Sequence, residues 1–283
     1  TSTTDMEEPQ EAKYGSWESP ITSEAIVSTN IKFGEIRVDG ENVYWSEGRP
    51  TEGGRNVIVK WGSESSCDIT PDAPWNVRTR VHEYGGGAFQ VVDSDLYFSN
   101  FSDQRIYHQK DGSSPVAVTP ADVPLRYADA CVDKHRNMLI CVREDHSSGE
   151  HGEPVNTIVA INLKADSLDP GTVLVSGSDF YSSPRLSPDG KYLAYLSWNH
   201  PQMPWDGTHL WVSELDERGH CGTPSLVAGG ASESICQPEW SPDGAWLYFV
   251  SDRTDWWNIY RVPAPDASLP SAAAAAEPVL PRA

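Results

Sequence analysis

The chain has 283 residues, and its 21 Lys and Arg against 41 Asp and Glu give a formal net charge of −20. A field of this sign repels nucleic-acid phosphates and anionic lipid surfaces, so we expect neither nucleic acid nor a membrane among its partners. The five cysteines form no C-x-x-C pair, which argues against a disulfide framework and indicates free thiols in a reducing compartment. No signal peptide is visible, so we expect a cytoplasmic location or an organelle interior.

Taken in order, the chain divides into three parts of different composition. Residues 1–13 are polar and acidic, and we expect them to be disordered. Residues 14–263 carry short runs of Val, Ile, Tyr, Trp and Phe between clusters of Gly, Pro, Asp and Ser, a pattern typical of β-strands joined by tight turns. Residues 264–283 are rich in Pro and Ala and are predicted to form a tail.

An internal repeat decides the fold of the predicted β-region. Residues 186–197 and 240–251 both contain Ser-Pro-Asp-Gly followed by an alternating strand. Pro presets φ for a turn, Asp bonds its own backbone and Gly takes positive φ, so each copy predicts a hairpin. Weaker copies lie upstream, and the equivalent aspartates of the five copies are Asp39, Asp93, Asp133, Asp189 and Asp243.

These aspartates are spaced by 54, 40, 56 and 54 residues. A repeating unit of this length, holding about four strands, is typical of a β-propeller blade. We therefore predict an all-β propeller with four to five blades, because the fifth copy leaves room for only two or three strands before the tail. A β-sandwich is the alternative, although it gives no reason for Ser-Pro-Asp-Gly to recur in step. Such an incomplete set of blades leaves an open ring.

Several stretches outside the two Ser-Pro-Asp-Gly copies carry a resemblance to a known protein family. They are YGSWESPIT at 14–22, WSEGRP at 45–50, EGGRNV at 52–57, NVRTRVHEYGGG at 76–87 and YFSNF at 97–101. In these stretches the chain resembles the prolyl oligopeptidase-type serine peptidases, and most closely their dipeptidyl-aminopeptidase and acylaminoacyl-peptidase branch. The resemblance covers about residues 14–262.

The resemblance implies an N-terminal propeller, usually of seven blades, that covers a C-terminal α/β-hydrolase domain with a Ser-Asp-His triad. The chain has no G-x-S-x-G motif, so we expect no catalytic residue in it and no hydrolysis by the chain alone. We also expect no cofactor and no metal. The implied role is to admit short peptides or acyl-amino acids to the active site. The implied partners are these substrates and the missing hydrolase domain.

The run His82-Glu83-Tyr84 with three following glycines is the densest functional candidate. It is not the zinc motif H-E-x-x-H, because Gly86 stands where the second His belongs. One interpretation places Glu83 near the central channel, where its carboxylate meets the free amino group of a substrate. The other is structural: the glycines form a bulged inner strand and Glu83 pairs with Arg78 or Arg80.

Arg78 and Arg80 alternate along a predicted strand and therefore face the same side. They are candidates for binding a substrate carboxylate, and the alternative is that they neutralise nearby acids. Further along the chain, an aromatic excursion between two predicted strands contains Trp198 and Trp205. These two tryptophans are candidates for the contact with a hydrolase domain, and a local hydrophobic plug under a long loop is the alternative.

The loop around His146 and His151 also carries acids, and a metal site there is weighed against a solvated loop. For the whole chain, the propeller of a serine peptidase is the main interpretation. A stand-alone interaction module that resembles the TolB-like propellers is the alternative, with an exposed blade edge to accept a strand from a partner. A lyase or lactonase with a metal site in the channel is a third interpretation, but the five repeats place no ligand cluster in register.

Overall fold

The computed structural model describes residues 11–17, 19–28, 30–62, 65–110, 112–148, 152–164, 168–265 and 276–280. The stretch predicted to be disordered lies, up to residue 10, outside these residues. The described strands form five four-stranded antiparallel sheets, and each sheet follows chain order. The chain is therefore a propeller of five blades, as the repeat predicts.

The blades are numbered in chain order. Blade one contains β1–β4 at Lys32–Asp39, Asn42–Arg49, Arg55–Trp61 and Ser66–Asp68. Blade two contains β5–β8 at Phe89–Val92, Asp95–Ser99, Ile106–Gln109 and Val116–Ala117. Blade three contains β9–β12 at Leu125–Asp133, Met138–Asp145, Val155–Asn162 and Thr172–Val175. Blade four contains β13–β16 at Phe180–Leu186, Tyr192–Trp198, His209–Glu214 and Ser225–Gly229. Blade five contains β17–β20 at Ile235–Trp240, Trp246–Ser251, Asn258–Pro263 and Glu277–Pro278.

Two short helical segments lie in or before blade one. Helix α1 spans Ser23–Ser28, and the Oγ1 of Thr22 accepts the Ala25 N–H at 3.0 Å, which caps its first turn. A 3₁₀ turn at Pro50–Glu52 joins β2 to β3. No helix of the described ranges is both long enough and apolar enough to span a membrane.

The Ser-Pro-Asp-Gly turns have the predicted chemistry. Ser187 Oγ donates to Asp189 Oδ1 at 2.7 Å and accepts the Tyr192 N–H at 2.9 Å. Gly190 takes a φ of 73°, which a residue with a Cβ adopts only at a cost. The turn of blade five repeats each of these features with Ser241, Asp243 and Gly244.

The hydrophobic core lies between consecutive blades. Because side chains alternate along a strand, each blade presents one apolar face to the blade before it and one to the blade after it. Tyr97 thus packs toward blade three, whereas its neighbour Phe98 packs toward blade one. Within the described ranges no core cluster joins blade five to blade one. Blades one and five are the two open ends of the arc.

The fourth strand of blade five comes from the segment predicted to be a tail. Within residues 264–283, β20 pairs with β19 through Glu277 opposite Arg261 and Pro278 opposite Tyr260. The three strands β17–β19 before residue 264 agree with the expected two or three, and the fourth strand comes from residues that were expected to form only a tail. A two-residue strand that contains proline carries no alternating pattern, so the sequence gives no sign of it.

The first strands of neighbouring blades lie against one another and surround the propeller axis. The register of β9, β13 and β17 is broken by bulges. At these breaks Asp129, Ser183 and Gln237 take φ values of 53°, 52° and 51°. Asp129 links three blades, because its two carboxylate oxygens accept the Gly87 N–H at 2.6 Å and the Ser183 N–H at 3.2 Å.

Candidate functional site

The connection between β4 and β5 holds most of the candidate residues, at the end of the propeller where the first strands begin. A tight turn forms at 81–84, with the Glu83 N–H donating to Arg80 O and the Gly85 N–H to Val81 O, both at 2.9 Å. His82 and Glu83 take φ values of 56° and 62°, a conformation that costs free energy in residues other than glycine. Val81 anchors the turn, because its side chain is fully buried in the core between blades three and four.

A buried carboxylate holds this turn in place. The Glu144 side chain is only 3% exposed, and its Oε1 accepts the His82 N–H at 2.6 Å. Its Oε2 lies 3.0 Å from His146 Nε2 and 3.9 Å from an Arg126 guanidinium nitrogen. A backbone N–H bonded to a carboxylate is a charge-assisted hydrogen bond, so Glu144 offsets part of the conformational cost of the turn.

The His82 ring is buried in an aromatic cluster. Its Nε2 donates to the Tyr181 carbonyl oxygen at 3.1 Å. Its ring centroid lies 5.4 Å from Trp198, 5.7 Å from Phe180 and 5.6 Å from Tyr84. Burial lowers the pKa of His82 below its usual 6.5, and the nearby Glu144 carboxylate opposes this shift only in part. At neutral pH the ring is therefore an uncharged member of the cluster.

Glu83 points away from the cluster and is 78% exposed. Its carboxylate accepts a hydrogen bond from Arg126 at 2.6 Å, and this bond lowers the pKa of Glu83. The expected partners Arg78 and Arg80 are thus corrected to Arg126 from β9. The physical reason is that Arg126 is fixed beside the turn by a second hydrogen bond, at 3.1 Å, to the carbonyl oxygen of Arg80.

Arg78 and Arg80 are both exposed, and their guanidinium carbons lie 4.9 and 5.0 Å from the ring centroid of Phe101. They do not belong to a strand, which corrects that prediction. The expected alternation holds, because Thr79 between them is buried. Among the residues that the structure describes, no carboxylate lies within 4.0 Å of either guanidinium. Neither arginine therefore forms an ion pair there, although the charge of Arg80 contributes, after that of Arg126, to lowering the pKa of Glu83.

Tyr84 and the glycines complete the loop. The Tyr84 side chain is exposed on one side, and partial burial raises its pKa. Gly86 and Gly87 run beside β9, where a Cβ on Gly87 would collide with the carboxylate of Asp129. The glycines thus permit a close approach of the inner strands, which agrees with the structural interpretation of this run.

The aromatic excursion divides into a buried part and an exposed part. Trp198 is 4% exposed and stacks on Phe180 at 5.4 Å, and the ring of His200 meets the other side of this cluster at 5.0 Å from Phe180. Because Trp198 is buried within the chain, it is corrected from an interface candidate to a core residue. Trp205 is 60% exposed and remains available to another domain, together with the exposed Met203.

The acidic loop after β10 does not assemble a metal site in the described part of the chain. Glu144, Asp145 and His146 are described, whereas Glu150 and His151 lie outside the described residues. Across the described ranges, no group of three or more His, Cys, Asp or Glu side chains has the arrangement of a metal site.

The structure brings together residues that the sequence pattern left apart. His82, Tyr84 and Trp198 meet in one cluster, whereas Arg78 and Arg80 lie on its outer side with Phe101. The residues missed at the sequence level are Arg126, Phe101 and Phe180, whereas Glu144 was grouped only with the acids of the His146 loop. Glu144 lies near the end of β10, after Arg143, and nothing local in the sequence marks its contact with His82.

Comparison with solved structures places this arrangement in a family. The chain is 34% identical to a puromycin-hydrolyzing peptidase of Mycobacterium tuberculosis, with a TM-score of 0.81, over 96% of this chain and 42% of that one. It is equally similar to the crystal structure of a puromycin hydrolase, with the same identity and coverage and a TM-score of 0.83. The chain belongs to the prolyl oligopeptidase-type serine peptidase family.

Within this family the chain is the N-terminal propeller portion, and it spans 42% of the length of these two relatives. TolB of Acinetobacter baumannii is more distant, at 12% identity and a TM-score of 0.55, and this likeness shows the fold alone. The peptidase interpretation is therefore favoured over the TolB-like module. No family model matches the sequence. No curated protein matches it either.

Proposed function

We propose that this propeller covers the active site of a serine peptidase and limits its substrates to short peptides and aminoacyl compounds such as puromycin. The observation that carries the proposal is the 34% identity to two puromycin hydrolases over 96% of the chain. A rigid ring of blades admits a flexible peptide through a narrow opening and excludes a folded protein. The acyl transfer to water belongs to an α/β-hydrolase domain, because the chain has no G-x-S-x-G motif.

The open ends of the arc support a partner for this propeller. Phe33 and Val38 on blade one are more than half exposed, and so are Trp257 and Ile259 on blade five. Large apolar side chains of this kind are usually covered in the complete protein. Further blades between the two ends would bury them, and Trp205 is positioned at the end of the propeller that we assign to the hydrolase domain.

The turn at 81–84 gives this end of the propeller a role in substrate binding. Glu83 presents a carboxylate to solvent on a rigid turn, which suits a substrate with a free amino group. Tyr84 beside it offers an exposed aromatic face, and His82 supports the turn from below. Arg126 donates a hydrogen bond to one oxygen of the Glu83 carboxylate, Oε1. A substrate amine would therefore bind to the other oxygen.

The cysteines support a reducing compartment for the protein. All five are free thiols, and Cys131 and Cys141 are buried in two different cores. Burial raises the pKa of Cys131 to about 11, so this thiol stays protonated and unreactive. We therefore propose a cytoplasmic location or an organelle interior.

The test of the proposed function is the denatured mass and activity of the endogenous protein. We expect an antibody to this chain to detect a product about twice as large as 31.1 kDa, since the chain spans 42% of its relatives. That product should hydrolyse puromycin and an aminoacyl nitroanilide but not casein. The purified 283-residue chain should hydrolyse none of them, with a puromycin hydrolase as the positive control. A product of chain size, or hydrolysis by the chain itself, would overturn the proposal.

A further inference from the structure

Two neighbouring arginines of the described ranges, Arg78 and Arg80, form no ion pair on this acidic chain. Most other described arginines do, namely Arg37, Arg49, Arg55, Arg126, Arg136, Arg185, Arg253 and Arg261, whereas Arg105 and Arg143 donate to backbone carbonyl oxygens. We call Arg78 and Arg80, which both contact the Phe101 ring, the arginine pair. With 41 acids in the sequence, two exposed guanidinium groups that meet an aromatic ring rather than a carboxylate leave their hydrogen-bonding capacity open to a ligand.

The backbone beneath the arginine pair is fixed. The Arg78 N–H donates to the Ser99 carbonyl oxygen at 3.0 Å, and the Arg80 N–H donates to Gln104 Oε1 at 2.7 Å. The Phe101 N–H donates to the Asn76 carbonyl oxygen at 2.8 Å. Both side chains therefore project to the same side of a fixed backbone, which reduces the conformational entropy lost when a ligand binds.

The two guanidinium groups are close enough to act on one ligand. Each lies within 5.0 Å of the same ring centroid, so their carbons are within about 10 Å of each other. Arg126 donates a hydrogen bond to the Arg80 carbonyl oxygen, and its charge is offset by Glu83 and by Glu144 at 3.9 Å, so the charges of Arg78 and Arg80 are left without an ion pair. The result is a locally positive spot on a chain of net charge −20, and such a spot attracts an anionic group to this end of the propeller.

We propose that the arginine pair binds the C-terminal carboxylate of a short peptide. A guanidinium group binds a carboxylate through two parallel hydrogen bonds, a geometry that an amide cannot reproduce. The peptide class follows from the proposed function on which this inference rests. Glu83 would then serve the amino end and the arginine pair the carboxyl end of substrates at the same face, which would favour free peptides over internal segments of proteins.

The test is direct binding to the purified 283-residue chain, independent of any hydrolase domain. The probes are N-acetyl-tetra-alanine with a free C-terminus and its C-terminal amide, titrated by calorimetry at about 25 mM and about 250 mM salt. Acetylation removes the amino group, so Glu83 does not contribute. We expect the acid to bind at least about tenfold more tightly than the amide, and this preference to shrink at the higher salt concentration.

Variants assign the preference to the arginine pair. The double variant Arg78→Gln/Arg80→Gln should abolish it, and Arg78→Lys/Arg80→Lys should restore only part of it, since lysine keeps the charge but loses the paired hydrogen bonds. Arg218→Gln is the matched control, because Arg218 is exposed on the turn between β15 and β16 at the opposite end of the propeller. It should bind the acid as the parent chain does.

Equal affinity for acid and amide in the parent chain would overturn the inference, and so would an equal loss in Arg218→Gln. The mass and activity of the endogenous product are measured separately. A large, active product combined with equal affinities would leave the proposed function intact and reject the carboxylate site alone.

Discussion

Removing the Glu144 carboxylate should loosen the turn that carries the candidate residues. Glu144→Ala deletes the acceptor of the buried His82 N–H, a charge-assisted bond of 2.6 Å whose loss costs about 1.5–3 kcal/mol. The contact with His146 at 3.0 Å is lost as well. Because the turn is strained at His82 and Glu83, it no longer has a bond that offsets this strain. We expect the free energy of unfolding to fall by about 2–4 kcal/mol.

The assay is urea denaturation followed by tryptophan fluorescence, together with hydrogen exchange of the His82 amide. Glu144→Gln keeps an oxygen acceptor for this N–H and should lose only about half as much. Glu217→Ala, at an exposed position, should change the free energy of unfolding by less than about 0.5 kcal/mol. If Glu144→Ala is no less stable than Glu217→Ala, or if its His82 amide stays protected, Glu144 does not hold the turn.

Three further predictions concern the blade turns and two buried groups. Gly190→Ala and Gly244→Ala carry the same cost of positive φ, about 1 kcal/mol. A Cβ at Gly190 would lie 2.7 Å from the His135 ring, whereas a Cβ at Gly244 would have its nearest neighbour, Pro188, at 3.7 Å. Thermal melting should therefore show the larger loss of stability for Gly190→Ala. Burial lowers the pKa of His82, so near its usual pKa of 6.5 the unfolded chain binds a proton that the native chain does not. The free energy of unfolding should therefore fall as pH drops below 6.5. His82→Asn should flatten this dependence in urea titrations between about pH 7.5 and 5.5. Burial raises the pKa of Glu35 from 4.5 to about 7, so the free energy of unfolding should fall as pH rises through this range. The Glu35→Gln chain should therefore become more stable relative to the parent chain by about 1–3 kcal/mol between pH 4.5 and pH 7.

Each of these predictions has a result that contradicts it. Equal melting temperatures for the two glycine variants would mean that the His135 ring moves aside. A pH slope unchanged in His82→Asn would assign the acid sensitivity to other groups. A constant difference between Glu35→Gln and the parent chain would mean that the Glu35 carboxyl is ionised throughout, with Arg37 at 2.8 Å compensating for its burial.

The blades could be predicted from the sequence because their turns depend on neighbouring residues. Ser187, Asp189 and Gly190 lie within four consecutive positions, and the hydrogen bonds of the turn form among these residues and the next two. The sequence pattern therefore predicts the turn geometry directly. The turn at 81–84 is different. Its non-glycine residues take positive φ because Glu144, sixty-two positions away, accepts the His82 N–H. A contact of that range leaves no local signal.

The same limit separates the correct part of the arginine prediction from the missing part. That Arg78 and Arg80 share a side follows from alternation around Thr79, a local property that survives even without a strand. Their contact with Phe101 depends on how the connection before β5 packs on blade two. The ion pair of Arg126 with Glu83 depends on how that connection meets blade three. For these two arginines the sequence therefore predicted the side on which they lie but not what they contact, and for Trp198 it did not predict burial.

The first strands of the blades contain positive-φ residues at equivalent positions of the repeat. Ser183 and Gln237 stand at the same place in the Ser-Pro-Asp-Gly register, six positions before Asp189 and Asp243, and both have positive φ. Gly87 stands at this distance before Asp93, and there the carboxylate of Asp129 reaches across to its N–H. The bulge of β13 leaves the Ser183 N–H outside the ladder, and the Asp129 carboxylate of blade three accepts it, as it accepts the Gly87 N–H. In blades four and five the repeat thus sets where the bulge lies, whereas Asp129, which lies four positions before Asp133, joins blades two, three and four.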